Sequence, residues 1–451
     1  MRGKCAVKKF RSLREMFGNP LKQSSLSFHH QQLNICAMKR ILASVLVLLL
    51  PLSLSAALTV RDDLFSSEEE LASFETEEVT EDEKEYYDGM RIYLLTGGEG
   101  SAVWENFGHS AFVVERDGFD SVGFDYGIFT FDNTFLPNFI LGKLYYQVWE
   151  TYAEYRILSL INDDRTVSML ELDLTREEKK ALWSFLLYNT EEENRTYLYD
   201  YFRDNCATRL RDMYSWATGG DFEDWLKSQK SSETIRSSVC RHLSRSTFFV
   251  CWVINYMLGK SVDEETTRWE ECYLPENLEK AIEEYQKTES EVIYETKNRQ
   301  ATPERWSLPF RSLVFGAVLA LLSLIASYTS HHHVSDALLA LVLLVFGIMS
   351  LVLVFFEFFT IHYVTHDNLN ILIITPLCLV SSILHFMSIG RRRKERKISL
   401  LSLVMLGILL FVIILKLILP SHFIQNIWAP ALTALMLYSA EALPCIVKKR
   451  R

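Results

Sequence analysis

Five long apolar runs in the last third of the chain restrict its architecture more than any other feature. They lie at about 312–329, 337–356, 371–389, 398–419 and 427–447. Each approaches the roughly 20 residues that a helix needs to cross a bilayer. Most charged residues precede residue 310. We therefore predict a soluble domain at 91–305, followed by an α-helical membrane domain at 306–451 with about five spans.

Two basic clusters, at 391–397 and 448–451, indicate the orientation of these spans. Because basic residues favour the cytoplasmic side, we expect both clusters and the C-terminus there. The loop at 357–370 then lies on the extracytoplasmic side, together with the soluble domain. Polar side chains at a membrane boundary are candidates for function, so His362, Asn368 and Asn370 are possible substrate contacts. The alternative is that lipid headgroups simply solvate them.

The N-terminal region has the pattern of an exported protein. Residues 38–57 combine Met38-Lys39-Arg40, an apolar run at 41–54 and small residues at 55–57, which is typical of a signal peptide. We interpret 1–37 as lying upstream of the true start; an extra signal-anchor helix is the alternative. The acidic segment at 58–90 is expected to be a solvated lead-in, partly helical at best. The net charge of −10 argues against nucleic acid as a partner.

The soluble domain shows strand patterns first and helix patterns later. Strands are predicted at 91–96, 109–115 and 121–128, the last two joined by the turn residues Asp117-Gly118 as a hairpin. Thr175 and Glu178 are placed as the capping box of a helix. A second helix is expected to begin near Asp204-Asn205-Cys206, to run through Arg211 to Trp216 and to stop at Gly219-Gly220. The pattern predicts an α+β fold with a small antiparallel sheet and flanking helices.

Cys206 is the cysteine in the most unusual setting. The first turn of a helix favours negative charge and therefore the thiolate. His109 begins a strand from which it could face that turn, and a thiolate beside a His is a common nucleophile pair. From the residues alone, a core cysteine and an ordinary strand histidine remain possible.

The other cysteines do not predict a metal or disulfide site. No C-x-x-C pair occurs, so neither a zinc ribbon nor a redox motif is expected, and no metal is predicted. Cys240 and Cys251 are expected on one continuous helix, about 16 Å apart, which is too far for a disulfide. We interpret both as buried residues.

Three segments in the soluble domain resemble the motifs of one family. They read WENFGHSA at 104–111, DYGIFTFD at 125–132 and YDYFRDNCATR at 199–209. In this order they resemble the FGHS/T, YGxFxF and NCxTRxRD motifs of the Lnb-type N-terminal periplasmic domain family. Later residues resemble the family's closing segment and its membrane loop: Gly259, Asp263, Trp269, Leu274-Pro275, Phe359, Thr360, His362, Asn368, Asn370 and Pro376. The order of His before Asn-Cys is also similar to that in permuted papain-like enzymes such as lecithin:retinol acyltransferase. The resemblance implies a permuted papain-like domain.

The resemblance also implies site residues. The family's motif His and Cys match His109 and Cys206, and Asn205, Asp125 and Tyr126 are the further candidate catalytic residues. Asp125 replaces what is often a different residue before the Tyr-Gly, which leaves the third member of the triad open. Arg209 is expected to form a structural ion pair with Asp212; contact with a lipid phosphate is the alternative.

The family includes a bacterial lipoprotein N-acyltransferase, so the resemblance implies a cofactor-free acyl transfer. The acyl chain would pass from a phospholipid to Cys206 and then to the N-terminal amine of a diacylglyceryl lipoprotein. The expected location is the bacterial inner membrane, with the soluble domain periplasmic. Two alternatives stay open: a membrane-anchored cysteine hydrolase (lipase, amidase or peptidase), and a non-enzymatic lipid- or lipoprotein-binding protein.

Overall fold

The computed structural model describes residues 79–243, 247–297, 307–328, 332–389 and 395–448. The predicted signal peptide, the segment upstream of it and most of the acidic lead-in lie outside these residues. The end of the lead-in forms a short 3-10 helix, Glu81–Glu83, and helix α1, Lys84–Asp88.

The soluble domain is built on a seven-stranded antiparallel sheet with the order β6-β4-β3-β2-β1-β5-β7. The strands are β1 Met90–Gly97, β2 His109–Arg116, β3 Val122–Ile128, β4 Tyr145–Tyr152, β5 Val167–Glu171, β6 Thr196–Leu198 and β7 Glu291–Tyr294. The predicted β2–β3 hairpin is confirmed, with Phe112 opposite Phe124. Strands β1 and β2 are central and largely buried.

The rest of the soluble domain is largely helical. Its helices are α2 Phe135–Leu141, α3 Ala153–Asn162, α4 Arg176–Thr190, α5 Cys206–Ala217, α6 Asp221–Lys227, α7 Ile235–His242, α8 Phe248–Met257, α9 Arg268–Glu271 and α10 Pro275–Gln286. Helix α5 packs on β2, α10 on β1, and α3 on β3 to β5. The α+β prediction is therefore confirmed.

Helix α4 begins where the sequence predicts it, directly after its N-cap residue Thr175. The Thr175 hydroxyl accepts a hydrogen bond from the Glu178 N–H at 3.2 Å, and the Glu178 carboxylate accepts one from the Thr175 N–H at 2.6 Å. This reciprocal pair satisfies two amides that the helix itself leaves without partners.

The prediction of one continuous helix through Cys240 and Cys251 is wrong. These residues lie on separate helices, α7 and α8, and the thiol of Cys251 donates to the Leu243 carbonyl oxygen at 2.8 Å. Both are free thiols, as are Cys206, Cys272 and Cys378 in the described part of the chain.

The membrane part consists of long apolar helices. They are α11 Leu308–Tyr328, α12 His332–Phe359, α13 Asn370–Ile373, α14 Leu377–Ser388, α15 Glu395–Ile418 and α16 Trp428–Lys448. Within the described residues, four stretches are long and apolar enough to cross a bilayer: Leu308–Ala326, His333–Phe359, Asn370–Ser388 and Leu400–Ile418. The third predicted span is interrupted before Pro376, which precedes α14. Helix α16 packs against α11 and α15.

The loop between α12 and α13 packs directly on the soluble domain. The Gly259 N–H donates to the Val364 carbonyl oxygen at 2.6 Å. A Cβ atom at Gly259 would lie 2.0 Å from the His366 carbonyl oxygen, so no side chain fits there. The loop and the soluble domain therefore lie on the same side of the membrane helices, as the predicted topology requires.

Candidate active site

Cys206 is the first residue of α5, and Asn205 shapes the backbone that presents it. Asn205 has an extended conformation, and its side-chain oxygen accepts the N–H groups of Ala207 and Thr208 at 2.8 and 2.9 Å. Its amide nitrogen donates to the carbonyl oxygens of Tyr201 and Tyr273, both at 2.9 Å. Asn205 thus holds the helix start in place from the neighbouring residue, and we assign it a positioning role.

His109 is the first residue of β2, and it meets a carboxylate from the neighbouring strand β3. Its Nε2 atom lies 2.5 Å from Oδ1 of Asp125. The side chain of Asp125 is only 6 % exposed, whereas that of His109 is 17 % exposed. The hairpin register brings the two groups together because β2 and β3 are adjacent in the sheet. With Nε2 engaged by Asp125, Nδ1 is the ring nitrogen left for the thiol of Cys206.

Arg156 completes this group from helix α3. Its Nη2 atom lies 2.5 Å from Oδ2 of Asp125 and 2.9 Å from Nε2 of His109. Asp125 therefore bridges a guanidinium group and an imidazole with its two oxygens. Arg156 was not predicted from the sequence, because it lies 47 positions from His109 and belongs to none of the three motifs.

The charges of this group favour an ion pair between Cys206 and His109. Burial raises the pKa of Cys206, but the charge of His109, its hydrogen bond and a bond from the Ser110 N–H lower that pKa below its ordinary value. Burial and the positive charge of Arg156 lower the pKa of His109, but the negative charges of Asp125 and Cys206 raise it overall.

Asp125 is held as a carboxylate by the same neighbours. Burial raises its pKa, and the positive charges of His109 and Arg156 lower it to below the ordinary value. The arrangement of thiol, imidazole and carboxylate is the one used for nucleophilic attack on carbonyl groups. It places Asp125 at the position of the third member that the sequence left open.

Tyr126, a predicted site residue, lies in a structural position instead. Tyr126 is fully buried, and its hydroxyl contacts the sulfur of Met213 at 3.5 Å. Successive residues of a strand point to opposite faces of the sheet. Tyr126 therefore points into the core on the face opposite that of Asp125.

The predicted ion pair between Arg209 and Asp212 is wrong. Arg209 pairs with Asp204, with N–O distances of 2.6 and 2.8 Å, and its guanidinium lies 3.6 Å from the ring centroid of Tyr197. Asp212 pairs with Arg211. The buried guanidinium of Arg209 already donates to both carboxylate oxygens of Asp204. These bonds give no support to binding of a lipid phosphate by Arg209.

The candidates on the membrane loop have different roles. Asn368 and Asn370 are buried, and their amide nitrogens donate to the Tyr256 carbonyl oxygen at 3.2 and 2.8 Å. These bonds cap the end of α8, so both residues join the soluble domain to the membrane loop. His362 is half-buried, and its Nε2 lies 2.9 Å from the Phe139 carbonyl oxygen. Substrate contact by His362 stays a prediction.

In the described ranges no group of three or more His, Cys, Asp and Glu side chains is arranged to hold a metal ion. A cavity of about 460 Å³ lies elsewhere, lined by residues of α7 and α8 together with α11 and the start of α16.

Comparison with protein families agrees with this architecture. Residues 80–239 match the model of the Lnb N-terminal periplasmic domain, and residues 302–450 match that of the Lnb transmembrane domain. No curated protein and no solved structure matches the chain. The two matched regions are the sheet domain that carries Cys206 and the bundle of apolar helices that follows it. The chain therefore belongs to the Lnb family, as a membrane protein with the family's N-terminal periplasmic domain and its transmembrane domain.

Proposed function

We propose that this protein is a thiol-dependent acyltransferase that moves an acyl chain from a phospholipid to the N-terminal amine of lipoproteins. The observation that carries the proposal is the group formed by Cys206, His109 and Asp125, in which the thiol pKa is lowered and the imidazole pKa is raised. A thiolate beside an imidazolium is ready both to attack a carbonyl carbon and to protonate a leaving group.

In the first half-reaction, the Cys206 thiolate attacks the carbonyl carbon of a phospholipid ester. A carbon–sulfur bond forms, and the bond from that carbon to the glycerol oxygen breaks. His109 gives its proton to the departing oxygen, so the lysophospholipid leaves as a neutral alcohol. Asn205 caps the N–H groups of Ala207 and Thr208 but not that of Cys206, the first residue of α5. The Cys206 N–H is therefore our candidate donor to the oxyanion.

In the second half-reaction, the neutral amine of a diacylglyceryl-cysteine terminus attacks the thioester. A carbon–nitrogen bond forms, the carbon–sulfur bond breaks, and His109 accepts the amine proton. The thiolate and the imidazolium are thereby restored. Asp125 keeps the imidazole oriented and stabilises its positive charge throughout, while Arg156 holds Asp125.

The membrane domain supports lipid substrates over soluble ones. The soluble domain is joined to the loop between α12 and α13 through Asn368, Asn370 and Gly259. A domain held at the bilayer surface meets both a phospholipid and a lipoprotein anchor without extracting either from the membrane. We further propose the inner membrane as the location, with a cytoplasmic C-terminus, because of the basic clusters at 391–397 and 448–451.

The test uses the full chain reconstituted in phosphatidylethanolamine vesicles. Peptide mass spectrometry should find a fatty acyl adduct on Cys206. Adding a synthetic diacylglyceryl-cysteine peptide should remove the adduct and yield a peptide acylated on its amine.

Cys206→Ser is the decisive variant, because its hydroxyl is not ionised near neutral pH. Cys240→Ser is the matched control, since Cys240 is also partly exposed but lies on α7. Release of free fatty acid without peptide acylation would identify a hydrolase instead. An adduct that forms equally in Cys206→Ser would refute the assignment of the nucleophile.

A further inference from the structure

The segment at 129–141 is apolar yet remains unburied. Its helix α2 has the sequence FLPNFIL, and none of its seven residues is buried. Phe131 is 52 % exposed and Phe139 is 38 % exposed. The one charged residue of the segment, Asp132, accepts hydrogen bonds from the backbone N–H groups of Thr134 and Phe135. A contiguous exposed apolar surface of this kind marks an interaction site.

This segment is attached to the outer end of the membrane domain. The Ile361 N–H donates to the Leu141 carbonyl oxygen at 3.1 Å, and His362 contacts the carbonyl oxygen of Phe139 at 2.9 Å. Immediately before these loop residues, the spanning helix α12 ends with Phe358 and Phe359, which are 70 and 64 % exposed. Segment 129–141 therefore lies at the level where α12 leaves the bilayer.

A series of aromatic rings connects this surface to the surroundings of Cys206. The ring centroids are 6.4 Å apart for His362 and Phe139, 5.9 Å for Phe139 and Phe135, and 5.4 Å for Phe135 and Phe129. The series continues through Tyr146, at 4.8 Å from Phe129.

The inner end of the series is Tyr199, whose ring centroid is 4.5 Å from that of Tyr146. The Tyr199 ring centroid is 5.7 Å from that of Tyr201, whose carbonyl oxygen accepts a hydrogen bond from the side chain of Asn205, the residue before Cys206. The rings thus form a continuous apolar path from the outer end of α12 to the neighbourhood of Cys206.

We propose that segment 129–141 lies in the extracytoplasmic lipid interface and binds the acyl chain of a bilayer phospholipid, guiding its ester toward Cys206. The inference rests on the proposed acyl transfer and adds the route of the donor. An apolar helix flush with the membrane surface suits an acyl chain because the chain leaves the bilayer onto aromatic rings without crossing water. The segment carries a single carboxylate among its thirteen residues, so it offers a cationic peptide little charge.

The first experiment does not depend on turnover. The Cys206→Ala chain is placed in vesicles of phosphatidylethanolamine carrying a photoactivatable diazirine in its acyl chain. After irradiation, peptide mass spectrometry should find lipid adducts within 129–141 as well as on the spanning helices. Adducts confined to the spans would overturn the proposal. Labelling of 129–141 that excess phosphatidylethanolamine does not reduce would also overturn the proposal, because binding of a lipid to a specific path can be saturated.

The second experiment separates a lipid path from a structural role. In Phe135→Ala/Phe139→Ala, acylation of Cys206 from vesicle phospholipid should slow by about tenfold or more, since each lost ring removes apolar contact with the chain. Acylation from a water-soluble short-chain thioester should keep its wild-type rate. Phe119→Ala is the control: Phe119 is 62 % exposed but lies in the turn at the opposite end of β2 from His109.

Equal slowing with both donors would mean that the rings only support the fold, and the proposal would fail. It would also fail if the double variant impaired only the step that consumes the lipopeptide, because the segment would then serve the acceptor. If the wild type gave no phospholipid adduct on Cys206, the proposed function would fail, while photolabelling of 129–141 would still decide whether the segment binds lipid.

Discussion

Replacing His109 with Gln tests the ion pair on which the mechanism depends. Glutamine keeps a polar group beside Asp125 and removes both the base and its positive charge. Among the interactions that lower the pKa of Cys206, the charge of His109 and its hydrogen bond are larger than the bond from the Ser110 N–H. Without them, burial dominates and the pKa of the thiol rises.

These contacts set the size of the expected effect. A hydrogen bond to a charged group contributes about 1.5–3 kcal/mol to stability, and about 1.4 kcal/mol corresponds to a tenfold change in an ionisation equilibrium. We therefore expect the ratio of thiolate to thiol at Cys206 to fall roughly 10–100-fold in His109→Gln. The sign follows because a higher thiol pKa moves ionisation to higher pH.

The assay is the rate of Cys206 alkylation by iodoacetamide as a function of pH, followed by peptide mass spectrometry. In the wild type the rate should reach its plateau below the pH expected for an ordinary thiol, and in His109→Gln the whole profile should move to higher pH. Cys272 is the control within each chain, since burial raises its pKa to about 12 and it should stay unreactive. Superimposable Cys206 profiles in the two proteins would refute the reasoning.

Three further substitutions test other parts of the structure. Asp125→Asn removes the charge that raises the pKa of His109, so peptide acylation should slow by about 100-fold or more; a wild-type rate would exclude its role. Asn205→Ala leaves two capped amides without a partner and should cost about 1–2 kcal/mol in the free energy of unfolding; an unchanged denaturation midpoint would contradict this. Gly259→Ala puts a methyl group 2.0 Å from a carbonyl oxygen, whereas at Gly123 the nearest atom is 3.6 Å away, so Gly259→Ala should lower the melting temperature far more than Gly123→Ala.

Much of the local structure was predictable because it depends on neighbouring residues in the chain. Strands β2 and β3 follow from alternation and a turn, and α4 follows from the reciprocal caps of Thr175 and Glu178. The start of α5 was predicted near Asp204-Asn205-Cys206, and the structure shows Asn205 as its cap. Apolar run lengths placed the membrane helices for the same reason. The break before Pro376 was not predicted, since the apolar run continues through it.

The pairing of charged side chains was predicted poorly, because it depends on which elements pack together. Arg209 was expected to pair with Asp212 within its own helix. It pairs instead with Asp204, and Asp212 is taken by Arg211. Similarly, Asn368 and Asn370 were candidates for substrate contact until packing placed them on the end of α8.

The sequence by itself determined that Cys206 lies in the first turn of a helix, that His109 begins a strand, and that a membrane domain follows. Helix caps, strand alternation and apolar run length are local properties, so they can be read without the fold. Only the tertiary structure decided that β3 places Asp125 against His109 and that α3 brings Arg156 to the same carboxylate. It also decided that the exposed aromatic segment at 129–141 lies beside the membrane loop. These contacts join residues far apart in the chain, and their geometry depends on strand register and helix packing.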